Sequence, residues 1–213
     1  GFLRNHAHTV IIMQRLPKTP REPLKIAFLL VDRFSNLCLS NALAPLRAAN
    51  SFAREPTYTW QFYSLDGAPV RSSSGIAILP DKAIHELSYV DRLYVIASYG
   101  HLENDTPATR RALQIAARQS KAVFGLDTGA WLMAAAGLLK DRRATVHWDI
   151  LDAFSERFLD VSVEQASWVS DRDVLTCAGA SATLDLSRPL LSRDISPPVA
   201  MDFAPTFPPH APD

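Results

Sequence analysis

Apolar positions along the chain alternate between two rhythms. The run "LKIAFLLV", beginning at Leu24, is nearly continuous and of strand length, which predicts a strand buried on both faces of a parallel sheet. Leu39, Leu43 and Leu46 then recur at helical spacing behind Ser35, a residue suited to cap the helix. The alternation repeats: "YTWQFYSL" (58–65), "GIAIL" (75–79), "RLYVIA" (92–97) and "KAVFGL" (121–126) read as strands. Thr106 and Pro107 form a cap and first-turn pair for a helix to about Arg118, and Leu132, Ala135, Ala136 and Leu139 stripe another. "DILDAFSERF" predicts a further helix, "VSVEQASWVSDRDVLTCAG" two strands, and a last helix starts near Ser181. Strands interleaved with helices of this length predict an α/β fold with a mostly parallel sheet covered on both faces.

The pattern is absent at both ends. Residues 1–23 mix His6, His8 and several basic residues with Pro17, Pro20 and Pro23, and read as a flexible leader. Pro189, Pro197, Pro198, Pro205, Pro208, Pro209 and Pro212 crowd the last 25 residues, so 189–213 reads as a disordered tail and 24–188 as one domain.

Composition narrows the classes. At 213 residues and 47% hydrophobic the chain can bury a full core. Its 22 basic and 22 acidic residues cancel, which gives no field to gather nucleic acid or anionic membrane. Two cysteines, Cys38 and Cys177, are too few for a disulfide framework and fit a reducing compartment. No apolar run approaches the roughly 18 residues of a membrane span, and no signal peptide is recognisable, so the expected setting is cytoplasmic. Neither GxGxxG nor GxxxxGK[ST] occurs, and no cofactor is expected.

Candidate chemistry gathers at one turn. "VFGLDTGAWLMAAAGLL" (123–139) runs from a strand through a tight turn into a helix, a geometry that elsewhere lifts a nucleophile beside free helix N–H groups. Its tip is Asp127, followed by Thr128 and Gly129. Asp also tolerates the left-handed backbone of a sharp turn and can cap a helix, so a purely structural role stands beside a functional one. His147 and Trp148 follow within about 20 residues; they read either as acid–base and wall groups or as core residues. Cys177, in "TCAGAS", sits at another strand-to-helix junction and is a nucleophile if its thiol is activated, or a small buried residue if not. "SYGHLEND" (98–105), with Tyr99, His101, Glu103 and Asp105, matches no metal-ligand spacing, and no metal site is expected.

The succession "KIAFLLVDRF", "NALAPLRAAN", "DRLYVIASYG", "GLDTGAWLMAAAGLLKDRRATVHW" and "DVLTCAGASATLDL" resembles the amidotransferase-like sensor domain of AraC-family transcriptional regulators, a branch of the ThiJ/PfpI superfamily. The resemblance covers about 24–188 and implies a flavodoxin-like three-layer α/β/α sandwich. Enzymes of the superfamily use an elbow Cys, a supporting Glu from the first helix and often a His after the elbow helix. Those seats fall on Asp127, Ala44 and His147, so the resemblance implies a fold kept for binding, without catalysis. Asp127, held ionised by helix N–H groups, would then receive an amine or other cationic small molecule, with Thr128, Gly129, Tyr99, His147, Trp148 and Cys177 around it. A homodimer through helices flanking the sheet is expected, with DNA contacted only through a helix-turn-helix segment beyond this domain. Two other readings stand: a hydrolase, hydratase or amidase-like enzyme using Cys177 or an Asp127–His147 pair, and an interaction scaffold with a vestigial pocket.

Overall fold

A computed structural model describes residues 22–195. Most of the expected leader and most of the expected tail lie outside the described residues. Strands β1 (Leu24–Leu30), β2 (Tyr58–Ser64), β5 (Lys82–Ala83), β6 (Val90–Ala97), β7 (Ser120–Asp127), β10 (Trp168–Asp171) and β11 (Val174–Cys177) form one sheet in the order β10-β11-β7-β6-β1-β2-β5. All neighbours are parallel except β10 and β11. Strand order reverses between β1 and β6, and at such a point the carboxyl ends of the strands leave a crevice. Two small sheets, β3 (Val70–Arg71) with β4 (Ala77–Ile78) and β8 (Arg142–Ala144) with β9 (Val161–Val163), lie outside the main one.

The continuous apolar reading of β1 has its cause in two cores. Ile26, Phe28 and Leu30 face α1 (Asn36–Phe52) and α6 (Ala180–Asp194), while Ala27 and Leu29 belong to the layer of α3 (Pro107–Arg118), α4 (Gly129–Ala135) and α5 (Leu151–Arg157). The predicted caps form: Ser35 accepts from the Cys38 N–H, and Thr106 from the Thr109 N–H. A short helix, α2 (His101–Asn104), occupies part of the stretch 98–105, whose spacing matches no metal-ligand pattern. Among the described residues no helix is long and apolar enough to cross a membrane.

Three expectations need correction. The stretch expected to hold two strands holds β9, β10 and β11. The elbow helix α4 ends at Ala135, because Gly137 takes a left-handed turn at φ 78°. Helix α6 passes the boundary expected at Arg188 and reaches Asp194 with Pro189 inside it. Pro189 and Asp185, whose carbonyl loses its helical partner, are both exposed, so water can take that bond. Leu190, Leu191 and Asp194 are buried and hold the last turn down.

Candidate functional site

The turn after β7 is strained and crowded. Asp127 adopts φ 59°, a left-handed conformation that costs a non-glycine residue about 1 kcal/mol and that Asp and Asn tolerate best. Helix α4 presses on the strand beneath it: a Cβ on Gly129 would sit 2.1 Å from the Val95 carbonyl oxygen. Gly129 is therefore an element of close packing, with no side chain to line a site. Thr128 is buried and its hydroxyl donates to the Ser98 carbonyl at 2.7 Å, tying the elbow to the end of β6.

Around the Asp127 carboxyl the fold assembles neutral donors. The Cys38 thiol, from the first turn of α1, donates to Asp127 Oδ2 at 3.9 Å. The Ser98 side chain and the Thr128 backbone N–H also favour the ionised carboxyl, as does the nearby His147 imidazole. Asp127 is nevertheless only 7% exposed, and burial outweighs these contacts and raises its pKa. Desolvation thus works against the helix N–H groups expected to hold Asp127 ionised. Among the described residues no Lys or Arg pairs with it.

The other expected site residues divide. The His147 N–H donates to the Asp127 carbonyl at 3.3 Å, so the histidine is locked to the elbow. Its Nδ1 accepts from the Asp149 N–H at 3.3 Å, and its ring stacks on Trp148 at 5.4 Å between centroids. Trp148 is 72% exposed and Tyr99 70%, which places both on the surface, with Tyr99 just past β6. Cys177 is fully buried; its thiol meets the Gly179 carbonyl at 3.7 Å and the Thr183 hydroxyl at 3.6 Å. Burial raises the Cys177 pKa and pushes Cys38 up to about 12, the reverse of activation.

Ala44, the seat assigned to the supporting Glu, is exposed on α1; the α1 side chain that faces the elbow is Cys38. Sequence reasoning counted Cys38 only as a free thiol. One local signal pointed to the site: Cys38 lies three residues after the Ser35 cap, in the first turn beyond the carboxyl end of β1. Ser98 was missed as well, although it directly follows β6 at the same edge of the sheet.

Relatives share this architecture. The chain is 37% identical over 180 residues to the HTH-type transcriptional regulator CdhR of Pseudomonas aeruginosa, covering 84% of this chain and 53% of that one. It therefore spans about half the length of that regulator. It is 28% identical over 200 residues to an isonitrile hydratase of Pseudomonas putida, covering 89% and 84% of the two chains. The crystal structure of an AraC family transcriptional regulator from Pseudomonas putida superposes with a TM-score of 0.73 at 27% identity, over 85% of this chain and 97% of that one. The model of the DJ-1/PfpI family matches residues 24–193, and the chain belongs to that family.

Proposed function

We propose that this chain is the non-catalytic, ligand-sensing domain of a cytoplasmic HTH-type transcriptional regulator, with DNA contacted through a further segment and two copies associating through helices that flank the sheet. The regulator CdhR, which the chain matches over about half its length, supports the setting. One observation carries the sensing role: a buried carboxyl stands at the elbow with no Lys or Arg paired to it among the described residues, and with only the His147 imidazole near it as a group able to carry positive charge. An ionised carboxylate in that position is expensive unless a counter-charge joins it. A small cationic ligand supplies that charge, and a hydrogen-bond-donating one supplies a partner in its place, with His147 and Cys38 bordering it. A hydratase-like or hydrolytic reading needs an activated nucleophile, and burial raises the pKa of both thiols.

The test is a thermal-shift screen of the chain against amines, amino acids, quaternary ammonium compounds and polyamines, repeated on Asp127→Asn, which keeps the left-handed backbone accessible. A ligand at 100 times its Kd stabilises by about 2.7 kcal/mol, a rise in Tm of roughly 5–10 °C for a domain of this size. The rise is expected in the native chain and lost in the variant. No rise with any compound favours the scaffold reading.

A further inference from the structure

The carboxyl at the elbow is 7% exposed, and among the described residues no Lys or Arg pairs with it. Asp127 is enclosed by β7, the start of α4, α1, the end of β6 and the loop that carries His147. From these elements the groups that act on the carboxyl are the Cys38 thiol, the Ser98 hydroxyl, the Thr128 N–H and the His147 imidazole, with the Cys177 thiol of β11 also within electrostatic reach. Every one is a neutral group except His147 when protonated. Behind His147 stands Asp149, with Oδ2 3.7 Å from Nδ1 and a side chain that is half exposed. The imidazole is itself about a quarter exposed, and it acts electrostatically on the enclosed carboxyl.

We infer that the elbow is a proton-for-cation exchanger: the Asp127 carboxyl holds a proton while the site is empty, and arrival of a monocation expels it. This rests on the sensing role proposed above and adds its chemistry. The balance is simple. The O–H bond of the neutral carboxyl breaks, the proton passes to water or buffer through the His147 edge, and the carboxylate left behind pairs with the incoming cation. Charge within the enclosed site stays close to neutral throughout, which removes the cost of an unpaired ion in either state. Burial of Asp127, which raises its pKa, favours the protonated empty state. The consequence is a sensor whose affinity depends on pH as well as on ligand concentration.

The experiment uses the whole chain and two permanently charged probes, tetramethylammonium and methylguanidinium, with tert-butanol as the uncharged control. Calorimetric titrations run from pH 5 to pH 8 in buffers of different ionisation enthalpy, and the Asp carboxyl carbons are followed by ¹³C NMR in the free and probe-bound chain. The expected result has three parts. The association constant rises about tenfold per pH unit while Asp127 is protonated and then levels off. Close to one proton is released per cation bound in the lower range. The Asp127 carboxyl carbon moves to its ionised shift on binding. His147→Gln separates the two sources of the proton: retention of the release supports Asp127, and its loss assigns the proton to the imidazole and overturns the inference. The NMR signal of the native chain decides the same question without a variant. Cation binding with no proton release, or an Asp127 already ionised in the free chain throughout this range, overturns the exchange and leaves the sensing role intact. No binding of either probe at any pH overturns both.

Discussion

Two buried aspartates stand at opposite ends of the same parallel sheet, and the fold treats them differently. Asp194, at the last turn of α6, is 9% exposed and lies near the amino ends of the strands. There Arg92 Nη2 donates to Oδ1 at 2.6 Å, and the Tyr58 hydroxyl to Oδ2 at 2.8 Å. The guanidinium also lies over the Phe124 ring, 5.7 Å from its centroid. Asp127, at the carboxyl ends, is buried to a similar degree on a left-handed backbone, with neutral donors and an imidazole beside it. A carboxylate given its own guanidinium is spent on holding the structure together. A carboxyl left without one is available to something from outside.

Breaking the satisfied end produces the largest effect. Arg92→Met leaves Asp194 buried without its cation, and removal of one partner of such a pair costs about 3–5 kcal/mol, a fall in Tm of roughly 10 °C. Adding Asp194→Leu to Arg92→Met restores part of the loss, because both charges are then gone; thermal unfolding of the two variants measures the difference. If the single variant melts with the native chain, the pair contributes nothing and the contrast between the two ends collapses.

The unsatisfied end responds in the opposite direction and less strongly. Asp127→Asn is expected to stabilise the empty chain by about 1 kcal/mol near neutral pH, the scale of relieving one ill-solvated polar group. The sign follows from linkage. Because the folded-state pKa of Asp127 lies above the ordinary 3.8, the folded chain holds this proton more tightly than the unfolded one. Its contribution to stability is complete below the ordinary value and is lost as pH rises through the raised one. Melts across pH 3 to 8 should show native and variant converging at the acid end and separating upward. A variant that is less stable at neutral pH contradicts the assignment. The smallest effect concerns the thiols: in the native chain Cys38 and Cys177 should label with a thiol reagent only as fast as the protein opens. Rapid labelling of either in the native state would reinstate a nucleophile beside the elbow.

Local pattern carried much of this architecture. The run at Leu24 and the caps at Ser35 and Thr106 are consequences of short-range rules, and each forms the predicted element; the apolar stripe after Asp127 forms a helix too, though one that stops at Ala135. His147, read either as an acid–base group or as a core residue, lies with its backbone N–H on the Asp127 carbonyl. The misses have a common cause in contacts between distant segments. Helix α6 continues beyond Pro189 because Leu190, Leu191 and Asp194 are buried, with Asp194 held by groups more than 100 residues away. The Cys38–Asp127 contact spans 89 positions. The protonation of Asp127 depends on how much of the fold covers it, and no window of sequence reports that.

The Cys38–Asp127 contact also bears on how such a domain can change over evolutionary time. Here a carboxyl stands at the elbow and a thiol in the first turn of α1, in contact although 89 positions apart in the chain. Neither position can change alone without altering the surroundings of the other. Asp127→Cys alone sets one thiol against another and leaves no acid to activate either, while Cys38→Glu alone puts two carboxyls in one enclosed space, where only one can readily ionise. The two positions are therefore expected to vary together, each limiting what the other can accept.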